Sequence, residues 1–416
     1  MHFSSFFTPS RVNRTPLATL VKCLLVVGLI SLPTGVIGGG AFGYSDAETL
    51  LLKALREIRL TQLDAARVTI SELLERYPNY RLAHLVQGDL WLAKSRAIVN
   101  LGNSTSTLPI QQIQQMDSLS GLRAEASARV QREKDAFKPE QIPANFWRVP
   151  AVQPFAFAVD VDKSRLYVLA NEKGRLVRVA DFYATIGKAG GGKEREGDQR
   201  TPLGAYTLLG SIAKDKLTDL YGAGAFPLDY PNVWDRIQGR KGFGIWLHGV
   251  PSDTYARAPR ASDGCVVVSN PDLKLIEKFI APGNTSFIIT QSIDWIDKEV
   301  ASKQSAALLT AIERWRSDWQ ALDTPLYLKH YAPTFVSDTQ RLPEWREQKL
   351  ALNAAKTWSK IDLANISAVQ YPGEKTLVEV TFDQNYKSNN LNGQTRKRQL
   401  WQLISGRWQI IYEGSA

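Results

Sequence analysis

The chain has 416 residues, of which 44% are hydrophobic and 22% are charged. This length predicts more than one domain, and the hydrophobic content excludes an intrinsically disordered chain. The net charge of +10 favours anionic partners, either nucleic acid or the carboxylate-bearing polymers of a cell envelope. The basic residues are scattered and no nucleic-acid-binding motif is present, so nucleic acid is the weaker interpretation.

The first 43 residues predict export. Arg11 and Lys22 supply positive charge before an uncharged, mainly apolar stretch at residues 23–42, and small residues around Gly43 fit a signal-peptide cleavage site. The alternative is an uncleaved anchor in the inner membrane, since the stretch approaches the ~20 residues that span a bilayer. Either interpretation places the rest of the chain in the periplasm or cell envelope.

Residues 44–138 predict a helical region. Apolar residues recur at three- and four-residue steps from Leu51 to Leu74, and further helices are predicted over 81–97 and 110–137. Residues 47–88 resemble a tetratricopeptide-like helical pair, a unit that buries its apolar face only against something else. That partner is left open: the next domain, an outer-membrane lipoprotein or a wall-synthesis protein.

Pro139 and Pro143 predict a linker, after which residues 151–291 predict a β-rich domain. Turns are predicted at 163–164 and 172–174. The predicted strands cover residues 155–161, 165–170, 176–185, 205–209, 244–248 and 285–290, with one helix over 272–279.

Residues 303–416 predict a third unit, with helices first and an antiparallel sheet after them. The predicted helices cover 306–321, 326–331 and 344–356, and the predicted strands cover 366–371, 377–385, 395–404 and 408–413. The tryptophans of this unit are predicted to be core rather than pocket lining; they are Trp315, Trp319, Trp358, Trp401 and Trp408. The basic run 396–398 predicts a solvated strand face. The fold class is therefore multidomain α+β.

One cysteine and one histidine of the β-rich domain stand out. Cys23 lies in the N-terminal apolar stretch, so a mature domain keeps a single thiol, Cys265, 17 residues after His248. A free thiol has a pKa of about 8.5, and a neighbouring imidazolium lowers it and makes a nucleophilic thiolate. Gly249 and Gly264 permit tight turns, and the backbone N–H groups near Gly264 suit an oxyanion. The alternative is an inert buried thiol and a core histidine.

These residues carry a family resemblance. The order Trp246-Leu-His248-Gly249, then Ser262-Asp263-Gly264-Cys265, resembles the signature of L,D-transpeptidase (YkuD-type) catalytic domains. The upstream loop 190–198 and Thr201-Pro202-Leu203-Gly204 also match, and the resemblance covers residues 151–291. The C-terminal unit resembles an NTF2-like (SnoaL-like) cone by its order of helices and strands.

The resemblance implies roles for individual residues. Cys265 attacks the carbonyl after a diaminopimelate residue of a peptidoglycan stem peptide and forms a thioester, with His248 as base. The Gly249 carbonyl orients the imidazole ring, and Gly264 contributes backbone to the oxyanion hole. Ser262, Asp263 and Trp246 are expected to contact substrate. No metal and no cofactor are implied.

Two positions depart from the family pattern. The family usually has histidine two residues before the cysteine and arginine two residues after it, where this chain has Asp263 and Val267. Our hypothesis is that Arg257 or Arg260 supplies the missing charge, because guanidinium suits a carboxylate. The alternative is that both are solvated loop arginines.

Three functions follow from the sequence. The first is a peptidoglycan L,D-transpeptidase that makes cross-links or attaches lipoprotein. The second is an L,D-family amidase or hydrolase that releases lipoprotein or cross-links. The third is a non-catalytic wall-binding scaffold, since helical repeats and NTF2-like domains are common interaction modules.

Overall fold

The computed structural model describes residues 45–95, 116–134, 138 and 140–416. The predicted signal or anchor and the polar stretch after residue 100 lie outside the described residues, as does Pro139. Within the described part of the chain, no helix combines the length and apolar character needed to cross a membrane.

Residues 45–134 contain the predicted helices and are called the helical segment below. The described residues of this segment form α1 Asp46–Arg59, α2 Leu63–Arg76, α3 Arg81–Leu92 and α4 Met116–Lys134. The leucine spacing places Leu51, Ile70 and Leu73 in a shared core with α4, where all three are fully buried. The helix predicted to reach residue 97 ends at Leu92. The likeness to a tetratricopeptide unit stays a prediction.

The central β domain, residues 155–290, is built on three small groups of strands. Its strands are β3 Phe155–Asp160, β4 Arg165–Glu172, β5 Arg175–Tyr183, β6 Ile186–Gly187, β7 Gly204–Thr207, β8 Ala225–Pro227, β9 Trp246–His248, β10 Arg260–Ser262, β11 Val266–Val267 and β12 Ser286–Thr290. The main sheet has the order β5-β4-β3-β12-β7, with β3 and β12 parallel. A second sheet has the order β11-β9-β8, and β10 pairs with β6.

Short helices complete the central β domain. They are α5 Val233–Ile237 and α6 Asn270–Ile276, with 3-10 turns at Lys214–Lys216, Asp219–Tyr221 and Glu277–Phe279. The turns predicted between the first strands are confirmed, with Ser164, Lys173 and Gly174 at positive φ. Large apolar side chains from both sheets, such as Phe157, Phe287 and Leu247, fill one core. The second sheet is therefore held firmly against the first.

The linker predicted from Pro139 and Pro143 is wrong, because this region forms strands. β1 Gln141–Pro143 pairs with β13 Trp295–Asp297, which follows the central β domain. β2 Phe146–Arg148 joins the C-terminal sheet as its sixth strand. Proline is tolerated here because Pro143 ends a strand of a two-stranded pair, where its missing N–H removes no interior hydrogen bond.

The C-terminal domain, residues 298–415, has the predicted order of helices followed by a curved sheet. Its elements are α7 Lys298–Gln320, α8 Thr324–Leu328, β14 Tyr331–Ser337, α9 Leu342–Ala354, β15 Ser359–Gln370, β16 Leu377–Ser388, β17 Asn392–Ile404 and β18 Arg407–Ser415. The sheet order is β14-β18-β17-β16-β15-β2. Sequence analysis missed β14 and placed Tyr331 in a helix, because the proline-interrupted segment after Leu328 lacks clear alternation.

Two predictions about C-terminal side chains are corrected. Trp315 and Trp401 are fully buried as predicted, but Trp358 is 50% exposed and is not part of the core. The basic run at 396–398 is only partly solvated, since its side-chain exposure falls from 36% at Arg396 to 14% at Arg398 and all three side chains form ion pairs. The pairs are Arg396–Asp383 at 3.1 Å, Lys397–Glu413 at 3.5 Å, and Arg398 with Asp229 at 3.4 Å and Glu379 at 3.8 Å.

Candidate active site

The two residues singled out by the sequence lie on neighbouring strands. β9 and β11 are parallel, with Val267 opposite His248 and Val266 opposite Leu247. Side chains alternate along a strand, and partners in register point to the same face. Cys265 directly precedes β11, and its Sγ lies at the Gly244 carbonyl, just before β9, the strand that ends at His248. The strand pairing thus brings the thiol to β9 across 16 intervening residues.

A tight turn presents the thiol. Ser262 Oγ donates to the Cys265 carbonyl at 2.7 Å and accepts from the Gly264 N–H at 3.2 Å. Gly264 has φ of +129°, and a Cβ there would lie 2.7 Å from the Arg200 carbonyl oxygen. Only glycine fits this position without strain. Because Ser262 is buried and bonded within its own turn, its predicted substrate contact stays a prediction.

The imidazole of His248 is oriented and kept neutral. Its Nδ1 lies 2.6 Å from the Gly249 carbonyl oxygen, the contact that the resemblance implies. A carbonyl only accepts hydrogen bonds, so Nδ1 carries the proton and Nε2 keeps a free lone pair. Burial lowers the pKa of His248 to about 4; the Gly249 bond opposes this shift and the charge of Arg257 adds to it. At neutral pH His248 is therefore poised as a base.

The thiol of Cys265 is free and partly accessible. Its Sγ donates to the Gly244 carbonyl oxygen at 3.3 Å. Burial raises the pKa of Cys265, while the Trp246 N–H and the charges of Lys193 and Arg257 act in the opposite direction. The resting pair is thus a thiol and a neutral imidazole, and donors that favour a thiolate are already in place.

The two candidate arginines have different positions. The charge of Arg257 acts on both Cys265 and His248, so its side chain lies within electrostatic range of both. Arg260 is exposed, and its guanidinium lies against Gly190 and lines a cavity with α4. Arg257 is therefore the arginine associated with the thiol.

Sequence analysis did not single out Lys193 or Tyr221. Lys193 is buried on the 190–198 loop, where its Nζ pairs with Asp198 at 2.8 Å. Asp198 also accepts the backbone N–H groups of Glu194, Arg195 and Arg200, and together these bonds hold the pKa of Asp198 well below its usual range. The family resemblance of loop 190–198 could have pointed to Lys193, because this loop carries the lysine whose charge acts on the Cys265 thiol.

Aromatic rings line the strand beside the thiol. Tyr221 lies edge-on to the His248 ring at 5.1 Å and against Trp246 at 4.8 Å. Trp246 is half-buried, so part of its ring remains available to substrate. Phe243 precedes Gly244, whose carbonyl accepts the hydrogen bond from the thiol, and is 74% exposed. Tyr221 and Trp246 give the site an apolar surface beside His248.

The two departures from the family pattern have clear structural positions. Val267 is buried in β11, so position 267 contributes packing rather than charge. The Asp263 side chain is 77% exposed and pairs with Lys188 Nζ at 2.9 Å on the rim of the turn. Neither position supplies a positive charge. The cations that lower the pKa of the Cys265 thiol are instead Lys193 and Arg257.

Comparisons with known proteins agree with this organisation. The family model for the L,D-transpeptidase catalytic domain (YkuD) matches residues 155–289, and the model for the Cds6 C-terminal NTF2-like domain matches residues 307–414. A search of curated protein sequences gives no match.

Two solved structures are similar to this chain over a range longer than either family match. Bd1075 of Bdellovibrio bacteriovorus has 26% sequence identity and a TM-score of 0.59, with 66% of this chain and 98% of that one covered. Pgp2 of Campylobacter jejuni, described as a helical cell shape determining protein, has 24% identity and a TM-score of 0.53, with 66% and 94% covered. Residues 155–289 therefore form a YkuD-type L,D-transpeptidase catalytic domain, and residues 307–414 form an NTF2-like domain of the Cds6 C-terminal type.

Proposed function

We propose that this protein is a cysteine acyltransferase of the L,D-transpeptidase type that acts on peptidoglycan stem peptides through Cys265. The observation that supports the proposal most directly is the pairing of β9 with β11, which brings a free thiol next to the strand that carries an oriented, neutral imidazole. A nucleophile, a base and an orienting group are the parts that covalent catalysis requires.

The chemistry follows from these groups. His248 Nε2 accepts the thiol proton while Sγ attacks the carbonyl carbon of the diaminopimelate residue. The C–N bond to D-alanine then breaks, and the leaving amine takes the proton from His248. The thioester is resolved by an amine, which gives a cross-link or lipoprotein attachment, or by water, which gives hydrolysis. The Lys193 and Arg257 charges favour the thiolate formed in the first step.

Hydrolysis is the second candidate, and the specific observation in its favour is the apolar Val267 where transpeptidases of the family usually have arginine. Without that charge, the site lacks a group that helps to set substrate contacts. Cross-linking therefore requires Arg257 to contact the substrate in its place, whereas a water molecule can resolve the thioester without that contact.

The test is mass spectrometry of a disaccharide-tetrapeptide incubated with wild-type protein and with Cys265→Ala. Wild type should release D-alanine and pass through a protein adduct, and Cys265→Ala should do neither. Cross-linked dimers identify transpeptidation, whereas monomeric tripeptide that takes up oxygen from labelled water identifies hydrolysis. Asp253→Asn, at an exposed position of the loop after β9, serves as the control. Full cellular function of Cys265→Ala would instead support a non-catalytic scaffold.

We extend the proposal to location and cellular role. The N-terminal 43 residues and the proposed peptidoglycan substrate support export to the periplasm. The description of Pgp2, which has a similar fold, as a helical cell shape determining protein supports a role in cell shape. Cells that carry Cys265→Ala as their only copy should then lose normal shape, while the protein still fractionates with the envelope.

A further inference from the structure

The loop that leads from β9 to the thiol turn is held by the helical segment. Tyr255 of this loop is buried and stacks on Tyr80, with ring centroids 4.0 Å apart and an interplanar angle of 27°. Tyr77 meets the same ring edge-on at 5.4 Å, and Ser45 Oγ lies 3.3 Å from the Tyr255 hydroxyl. Arg257 follows two residues later, so its backbone is attached to a residue, Tyr255, that the helical segment holds in place.

A second anchor grips Arg257 itself. Tyr183 Oη donates to the Arg257 carbonyl oxygen at 2.8 Å, and the Thr185 hydroxyl lies between the carbonyl oxygens of Ala258 at 2.9 Å and Arg257 at 3.2 Å. Thr185 pairs in turn with Val267 of β11, two residues after Cys265, so this anchor ties the Arg257 backbone to the strand beside the thiol. The Tyr183 ring in turn lies 3.9 Å from the Arg129 guanidinium of α4, which is a close cation–π contact. The hydroxyl that fixes Arg257 is therefore itself positioned from the helical segment.

Arg129 connects the two anchors. Its guanidinium is buried and pairs with Glu48 at 2.8 Å and Glu125 at 2.7 Å, and it also lies 5.8 Å from the Tyr80 ring. Charges buried in this way have few alternative arrangements, because each displaced partner leaves an uncompensated charge in a low-dielectric interior. The geometry of both tyrosine anchors is thus specified by one rigid ion cluster.

We propose that the helical segment is a structural part of the active site, in which Tyr183 and Tyr255 are positioning residues that hold Arg257 beside the Cys265 thiol. This inference rests on the proposed function and adds to it: the helical segment contributes to substrate binding through Arg257. Arg257 is placed to meet a carboxylate of the stem peptide, since a guanidinium in a fixed position pairs with carboxylate in a bidentate manner.

The sharpest test removes one hydroxyl. Tyr183→Phe keeps the ring under Arg129 but loses the bond to the Arg257 carbonyl, and we expect KM for the tetrapeptide substrate to rise about fivefold, the effect of one hydrogen bond. In an Arg257→Ala background the same substitution should change KM no further, because its route of action is gone. Tyr167→Phe, another buried tyrosine of the same sheet, is the matched control and should leave KM unchanged.

A second variant approaches from the helical side. Tyr80→Leu removes the ring that stacks on Tyr255 and should also raise KM in wild type but not in Arg257→Ala. Thermal unfolding of each variant separates this effect from loss of folding. If Tyr80 had only a structural role, Tyr80→Leu would lower the melting temperature, and its effect on KM would be the same in wild type and in Arg257→Ala.

The outcomes are distinguishable. Unchanged KM in Tyr183→Phe, or effects that add fully to those of Arg257→Ala, would overturn the positioning role. Inactivity of Cys265→Ala together with either result would leave the proposed function intact. Activity of Cys265→Ala would instead remove the proposed function, whatever the tyrosine variants do.

Discussion

The C-terminal domain and the central β domain both bury titratable groups, and they treat them in opposite ways. In the C-terminal domain, Glu413 is buried and accepts hydrogen bonds from Tyr331 and Gln399, both at 2.9 Å, with Lys397 3.5 Å away. In the central β domain, His248 is equally buried but has its ring held by one carbonyl. Burial together with the Arg257 charge keeps the imidazole unprotonated.

The difference indicates where proton transfer can occur. A buried charge with several partners is compensated, and moving its proton disrupts a network. A buried neutral base with a free lone pair can accept a proton when a thiol is deprotonated beside it. The C-terminal cone therefore has the character of a packed core, and the end of β9 and β11 has the character of a reactive site.

The largest effect should come from removing the base. His248→Gln should lower kcat/KM by roughly 10³-fold, since general-base catalysis contributes typically 10²–10⁴. Steady-state kinetics with the tetrapeptide substrate measure this, and the melting temperature should not fall. An equal loss of stability and activity would mean that His248 is a packing residue, which would remove the contrast with Glu413.

The opposite pattern is expected for the cone. Glu413→Ala should lower the free energy of unfolding by about 3 kcal/mol, because it leaves the buried Gln399 and Tyr331 and the partly buried Lys397 without this acceptor. Chemical denaturation measures the loss, and kcat/KM per folded molecule should stay as in wild type. Glu413→Gln retains an acceptor and should cost less. A selective loss of activity would assign the cone to the reaction.

The pH dependence of stability sharpens the comparison. The pKa of His248 falls from 6.5 in the unfolded chain to about 4 in the folded one, so the unfolded state binds more protons between these values. Stability at this site is fully present above pH 6.5 and is lost as the pH falls to about 4, by about 3 kcal/mol. His248→Gln should lack this component when unfolding curves are compared from pH 7 to 4. Parallel curves would contradict the neutral imidazole.

The smallest effect separates the two arginines. Arg257→Ala should raise KM for the stem peptide about tenfold, the order expected for one charge-assisted hydrogen bond. Arg260→Ala should leave kcat and KM unchanged, because its guanidinium lies against Gly190. Parallel kinetic measurements on the two variants decide the matter. Equal values for both would remove Arg257 from the site.

Much of this organisation is readable from local pattern. Short apolar runs bounded by turn residues predicted the strands around Phe157 and Phe287, and helical spacing placed Leu51 and Leu73 in a core. Glycine beside cysteine predicted the thiol turn, and Gly264 indeed adopts φ of +129°. The prediction that Cys265 acts with His248 required the family resemblance as well, because the spacing alone is also compatible with an inert buried thiol.

Tertiary structure decided what depends on contacts between distant parts of the chain. Pro143 looked like a linker residue, yet it ends a strand whose partner lies beyond the central β domain. Arg257 and Arg260 are three residues apart and indistinguishable in sequence, but only the fold lets the charge of Arg257 act on the thiol and sets the Arg260 guanidinium against Gly190. Local residue type determines which element forms, whereas electrostatics and packing depend on which elements meet, and no local pattern records that.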